Sequence, residues 1–262
     1  MRVRKRFGQH FLHDPGVIRR IIGAVAPETC ERLVEIGPGR GALTWGLLER
    51  TRRLDAIEID RDLAAALQAD RRAGSTLHVH VENVLHTDFI ALRGSGEPLR
   101  VVGNLPYNIS TPLLFRLLAQ RAALSDMYFM LQKEVADRMA AQPGTKDYGR
   151  LTVMLAAVAE VDALFDVGPG AFQPRPKVWS AIVRLRPCPS PRFEIGRDGV
   201  LRTLVTTAFS HRRKTLRNSL KGLLGAEDIE SCGIDPQLRP ETLAPAQFGR
   251  LAAHYSRMVG YT

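Results

Sequence analysis

The stretch that most narrows what this chain can fold into runs from Leu33 to Ile59. Leu33-Val34-Glu35-Ile36 is a short run with the pattern of a buried strand, and it leads into Gly37-Pro38-Gly39-Arg40-Gly41. Leu43, Leu47 and Leu48 then give a short helix. Glycines let the backbone turn tightly and approach a ligand closely, and the N-terminus of the following helix presents unpaired N–H groups. A second strand, Leu54 to Ile59, carries Glu58 at its end, seventeen positions after Gly41. That is close to the roughly 20 expected of a carboxylate that binds ribose hydroxyls. A glycine turn alone is weak evidence, and an ordinary surface carboxylate is the alternative reading of Glu58. Strand, glycine loop, helix, strand and acid together make a nucleoside-binding half of a doubly wound sheet.

The charge at the loop separates the nucleoside cofactors. A dinucleotide would bring a pyrophosphate, for which Glu35 at the end of the strand beneath is an unhelpful negative charge. S-adenosylmethionine brings an ammonium and a sulfonium, for which a nearby carboxylate is favourable. The loop therefore favours a methyl donor over a nicotinamide dinucleotide.

The remaining elements extend the same pattern. Asp14 can cap a helix with Pro15 in its first turn, where Val17, Ile18, Ile21, Ile22 and Val25 recur at helical spacing. Arg61 to Ala69 is a helix, Leu77 to Val81 a third strand ending at Glu82-Asn83, and Leu99 to Val102 a fourth. Asn83 stands where a third strand would deliver a side chain to the adenine of the cofactor. The fourth strand delivers Asn104-Leu105-Pro106-Tyr107 at its carboxyl end, the edge at which open parallel sheets bind ligands. Asn104 offers an acceptor and a donor, Pro106 restricts Leu105 to extended geometry, and Tyr107 offers a face for a nucleobase. Read alone, the tetrapeptide is also a plain strand-to-helix turn. Thr111 and Pro112 suit a helix start, and Met127 to Leu131 is a fifth strand. Helices follow from Glu134 to Ala140 and from about Tyr148 to Val158. Val161 to Val167 and Val178 to Leu185 read as a closing antiparallel pair. Alternating elements of this kind predict an α/β fold, a mostly parallel Rossmann-like sheet with helices on both sides.

Pro187-Cys188-Pro189-Ser190-Pro191 is a stiff linker and divides the chain into a domain over 1–187 and a smaller helical domain over 188–262. The second is expected to hold helices over Val200 to Phe209, Lys214 to Leu224 and Pro245 to Met258. Arg202, Arg212, Arg213, Lys214, Arg217 and Lys221 occur with no acid from Gly199 to Ala226, which suggests a surface that tracks phosphates. The formal net charge of +10 and the pI of about 10.1 also point to a polyanion, RNA or DNA. The N-terminal Arg2 to Arg6 reads equally as a phosphate contact and as a solvated tail. Apolar runs are too short for the roughly 20 residues that span a bilayer, and the basic start has no long apolar run behind it, which argues against a secretory signal. Cys30, Cys188 and Cys232 form neither a disulfide framework nor metal-ligand spacing, consistent with a reducing cytoplasm. His78, His80 and His86 lack the cysteine or carboxylate companions of a metal site.

Taken together, these residues resemble the ribosomal RNA adenine dimethyltransferases, class I methyltransferases that use S-adenosylmethionine to dimethylate adenines at N6. The resemblance covers Phe7 to Leu12, Glu35 to Thr44, Asn104 to Pro112, Phe129 to Val135, Tyr148 to Leu151, Phe172 to Leu185 and Phe209 to Leu220. It is similar above all to the bacterial small-subunit branch, which modifies two adjacent adenosines in the 3′-terminal hairpin loop of small-subunit RNA. The resemblance implies a cytoplasmic, monomeric enzyme that acts on small-subunit ribosomal RNA in an assembly intermediate. It implies that His10, Leu12, Gly37, Glu58, Asn83 and Asn104 lie against the cofactor and that Asn104, Leu105, Pro106 and Tyr107 receive the adenine. The family usually has asparagine at the position of His10 and aspartate at that of Asn83, so the side-chain contacts there are open. Two other readings stand beside this one: a large-subunit methyltransferase of the antibiotic-resistance type, and an assembly factor whose catalysis is secondary. Gln132 to Val135 and Phe209 to Leu220 argue for the small-subunit branch.

Overall fold

The computed structural model describes residues 10–30, 32–106, 109–197 and 199–260. Tyr107 and the basic Arg2 to Arg6 stretch lie outside the described residues. The chain divides into two units, Met1–Ala136 with Asp162–Pro187, and Asp137–Val161 with Cys188–Thr262. One boundary falls at the proline linker after Pro187. The other does not follow the sequence order: the stretch 137–161, expected with the sheet, belongs to the second unit.

The first unit opens on β1 (Phe11–Leu12) and α1 (Pro15–Val25). Asp14 Oδ1 accepts from Gly16 N at 2.8 Å and Val17 N at 2.9 Å, with Pro15 in the first turn, the cap its sequence predicts. There follow β2 (Leu33–Ile36), α2 (Thr44–Leu48), β3 (Leu54–Glu58), α3 (Arg61–Ala69), β4 (Leu77–Val81), α4 (Phe89–Arg93), β5 (Leu99–Asn104), α5 (Ser110–Ala119) and β6 (Leu124–Gln132). After α6 (Lys133–Ala140) and α7 (Arg150–Ala156), the chain makes β7 (Ala159–Val167), β8 (Phe172–Gln173) and β9 (Ser180–Pro187).

Seven strands form one sheet in the order β4-β3-β2-β5-β6-β9-β7. From β4 to β6 every pairing is parallel, and β9 runs antiparallel to β6. The order reverses between β2 and β5, which opens a crevice at their carboxyl ends. Leu33, Leu54, Val102, Tyr128, Met130 and Ile182 pack with Ile21, Ile22 and Val25 of α1 and Leu47 of α2. Gly103 sets how closely the two central strands end: a Cβ there would lie 2.6 Å from the Ile36 carbonyl oxygen.

The remaining small sheet had no local sequence signal. β1 pairs antiparallel with β8, Phe11 opposite Gln173 and Leu12 opposite Phe172, across some 160 residues of chain. The α5 helix starts at Ser110, ahead of the expected Thr111 cap.

In the second unit α8 (Val200–Ser210), α10 (Ala226–Ser231) and α11 (Pro245–Val259) surround a core of Leu204, Val205, Ile229, Phe248 and Leu251, with Tyr148 and Val153 from the 137–161 stretch. The buried Tyr148 hydroxyl donates to the Leu243 carbonyl at 2.6 Å, and its desolvation pushes the phenol well above its usual range. The helix expected over Lys214 to Leu224 is only a short turn, α9 (Leu216–Ser219). Leu216 N and Arg217 N donate to the carbonyls of Leu238 and Pro236, so the helix cannot extend back towards Lys214. Among the described residues, no helix is long and apolar enough to cross a membrane.

Candidate functional site

A cavity of about 370 Å³ lies at the carboxyl ends of β2, β3 and β5. Its walls include His10, Leu12, Gly37, Glu58, Asn83 and Asn104, together with Leu105 and Pro106. The residues picked out from the sequence therefore meet in one place, Tyr107 excepted because it lies outside the described residues.

Each wall has a local cause. Gly37, Gly39 and Gly41 adopt φ of 66°, 58° and 81°, the left-handed region in which a side chain is strained. Gly39 also leaves space for Phe11, whose Cε1 would lie 3.3 Å from a Cβ there. The Phe11 ring in turn carries the Arg40 guanidinium 4.4 Å from its centroid. Glu58 is 4% exposed, and its carboxylate accepts from Gly39 N at 3.1 Å and Asp60 N at 2.9 Å. One side chain thus ties the glycine loop to the end of β3. Burial raises its carboxyl above the ordinary range even though these N–H groups pull the other way.

Glu35 lies deeper, 2% exposed, with Thr44 Oγ1 donating to its Oε2 at 2.6 Å. Desolvation dominates, and its carboxyl is pushed up from the usual 4.5 to about 7, with the nearby Glu58 charge adding in the same direction. The negative charge read from the sequence is therefore conditional: burial favours the protonated carboxyl, and a nearby cation favours the charged one.

Asn104 ends β5. Its Nδ2 donates to the His10 carbonyl oxygen at 3.0 Å. A carbonyl can only accept, so this bond fixes which end of the carboxamide is nitrogen and leaves Oδ1 on the other branch as an acceptor. His10 is held in turn, because its Nδ1 lies 2.8 Å from the Pro174 carbonyl oxygen and must carry the proton there. The β1–β8 pairing and this bond bring the N-terminal segment to the end of β5. Leu105 N donates to the Met130 carbonyl at 3.1 Å, continuing the strand one residue past Asn104.

Asn83 lines the cavity, and its Oδ1 accepts from Leu85 N at 3.1 Å in a local turn. Sequence reasoning missed Phe11, Ile59 and Ile109, which also line the cavity. Phe11 and Leu12 make a strand of only two residues, too short for periodicity to reveal.

One of the two histidines on β4, His80, is engaged elsewhere. His80 Nε2 lies 2.8 Å from the buried Asp55, which also binds Arg53 at 3.0 Å. Among the described residues, no group of three or more histidine, cysteine, aspartate or glutamate side chains is placed to hold a metal ion.

The cation run in the second unit is not uniform. Arg212 is compensated: its Nε donates to Glu241 at 2.6 Å, and its other nitrogens donate to the carbonyls of Lys146 and Thr145 at 2.7 and 3.1 Å. It ties three segments of that unit together. Arg213, Lys214, Arg217 and Lys221 are exposed.

Comparison with known proteins agrees with this geometry. The model of the family described as ribosomal RNA adenine dimethylase matches residues 1–256. The chain is 54% identical over 259 residues to the Ribosomal RNA small subunit methyltransferase A of Pseudomonas aeruginosa, covering 99% of this chain and 97% of that protein. It is 52% identical over 257 residues to the protein of that name from Nitrosococcus oceani, covering 97% and 96%. Among solved structures, a dimethyladenosine transferase from Plasmodium falciparum superposes with a TM-score of 0.79 at 27% identity, over 92% of this chain and 96% of that one. The 23S rRNA methyltransferase ErmE does so with a TM-score of 0.70, also at 27% identity, over 93% and 98%.

Proposed function

The chain belongs to the ribosomal RNA adenine dimethylase family, and from that premise we propose that it dimethylates N6 of two adjacent adenosines in the 3′-terminal loop of small-subunit ribosomal RNA. It does so as a monomer in the cytoplasm, on assembling subunits. Its cofactor is S-adenosylmethionine. The two solved structures are equally distant in identity, so they do not separate small- from large-subunit activity. Identities of 54% and 52% to small-subunit enzymes favour the first.

The observation that carries the chemistry is the Asn104 carboxamide, locked through Nδ2 on the His10 carbonyl at the cavity wall. The pocket suits a cationic nucleoside. Glu58 keeps acceptor capacity for ribose hydroxyls, a buried carboxyl at Glu35 gains its charge beside a cation, and the left-handed glycines admit close approach. When bound, S-adenosylmethionine supplies a methyl group on a positively charged sulfur. The adenine N6 lone pair is delocalised into the ring, which makes it a poor nucleophile. Asn104 Oδ1 and the Leu105 carbonyl accept from its two hydrogens and draw the nitrogen towards tetrahedral geometry, with the lone pair aimed into the cavity. The same acceptors meet the positive charge that develops on N6, and the proton leaves afterwards without a strong base. Tyr107 stacks on the base, taken from an RNA loop where unstacking is cheap. Arg213, Lys214 and Arg217 contact phosphates. The direct test is incorporation of labelled methyl groups into unmodified small-subunit particles, followed by mapping of N6-dimethyladenosine. Label in large-subunit RNA alone, or in neither RNA, would overturn the assignment.

Glu35 makes the cofactor step depend on pH. Between the usual carboxyl value of 4.5 and about 7, the ligand-free protein holds a proton that the unfolded chain has released. Its stability therefore falls as pH rises through that window and levels off above it. Cofactor binding runs the opposite way, since a bound cation favours the carboxylate. Titration calorimetry should show affinity rising with pH up to about 7, by as much as about tenfold per pH unit. Glu35→Gln should flatten that rise, leaving only the contribution of Glu58. A profile of equal slope in wild type and Glu35→Gln would remove Glu35 from the linkage.

A further inference from the structure

Trp179 directly precedes β9, yet it is 55% exposed, and Val178 beside it is 42% exposed. Its backbone carbonyl accepts from Lys133 N at 2.9 Å, and the next residue, Ser180, pairs with Gln132. Gln132 is two residues beyond Met130, the partner of Asn104. Trp179 therefore stands at the same carboxyl edge of the sheet as Asn104, with only β6 between their strands. The outer edge of its six-membered ring reaches Gly168, where a Cβ would lie 3.7 Å from Cη2 and Cζ3. The loop that carries it begins at Pro174, whose carbonyl holds His10 on the cavity wall. Arg175 and Lys177 on that loop are exposed, and no acid occurs between Asp166 and Glu194. Asp166 itself is paired with Lys133 at 3.1 Å.

An indole left in water beside two cations, on the rim of a base-binding cleft, has the composition of a single-stranded nucleic acid contact. Aromatic faces take any base, and neighbouring cations take the phosphates. We propose that Trp179 stacks on an unpaired RNA base flanking the adenosine that enters the cleft, with Arg175 and Lys177 on the adjoining phosphates. The inference rests on the RNA substrate proposed above. It names a contact outside the cavity, on a residue that has no part in cofactor binding.

Two measurements test it. In steady-state methylation of unmodified small-subunit particles, Trp179→Ala should raise KM about tenfold or more, with kcat and cofactor affinity near wild type. Trp179→Phe should restore most of the loss. The chain has two tryptophans, Trp45 and Trp179, so Trp45→Phe leaves Trp179 as the sole indole reporter. Its emission should be quenched by the isolated 3′-terminal hairpin. A wild-type KM in Trp179→Ala, while the parent methylates the particles, would overturn the stacking contact alone. A raised KM with unquenched emission would overturn it in favour of a contact with a ribosomal protein. If the parent fails to methylate the particles, the functional reading fails and this inference with it.

Discussion

Asn104→Ala should lower the rate of methyl transfer by roughly 10² or more while leaving the fold and RNA affinity nearly unchanged. The small structural effect follows from what the side chain holds. Its bond from Nδ2 to the His10 carbonyl at 3.0 Å is neutral and worth about 1 kcal/mol net. The kinetic effect is larger because Oδ1 acts where positive charge develops. Asn104→Asp separates orientation from acceptor strength. It keeps an acceptor in place of Oδ1 but sets a second carboxylate oxygen against the His10 carbonyl, where two acceptors repel. If the lock on His10 is what aims the acceptor, the aspartate variant should lose at least tenfold at neutral pH and regain part of it in mild acid, where a protonated carboxyl can donate again. Single-turnover rates at saturating cofactor read both variants. Wild-type rates in Asn104→Ala would remove the residue from the mechanism, and wild-type rates in Asn104→Asp would remove the lock.

That lock also shows where sequence reading stops. The strand, glycine loop and acid from Leu33 to Glu58 were legible because each signal is local: an apolar run, a cluster of left-handed glycines, a carboxylate at a set spacing. Asn104 was legible for the same reason, standing at the end of an apolar run before a proline. The partner that orients it was not, since His10 reaches it through a two-residue strand paired with Phe172–Gln173, far along the chain. Arg212 makes the converse case. Within its own stretch it looks like one of six uncompensated cations, but Glu241 lies 29 positions away and neutralises it. The charge pattern was read correctly and the compensation was invisible. Burial acts the same way on Glu35. Its sequence position gives the carboxylate, and only the surrounding fold decides how readily that carboxylate ionises.

Glu58 is the side chain whose loss should weaken cofactor binding most. A carboxylate has about four acceptor positions; the backbone N–H groups of Gly39 and Asp60 bond it at 3.1 and 2.9 Å, and that of Ile59 also acts on it. The capacity left over suits a ribose hydroxyl, whose bond to a charged acceptor is worth roughly 1.5 to 3 kcal/mol. Glu58→Gln is the sharper variant, because it matches the shape and still cannot do the same work. One of its two ends is an NH₂, which must face either the Gly39 N–H or the Asp60 N–H donor to donor. Facing Gly39 it costs the glycine loop its tie to β3, facing Asp60 it costs the turn after β3 its bond, and in both cases the ribose loses the charge. Cofactor affinity should fall by roughly 10² in Glu58→Gln and by at least as much in Glu58→Ala. Stability should move far less, because burial already raises this carboxyl and removing the charge relieves that desolvation as the backbone bonds are lost. Calorimetric titration alongside melting temperatures distinguishes the two effects. A Glu58→Gln protein that melts like wild type and binds S-adenosylmethionine within threefold of it would show that the carboxylate does not hold the ribose.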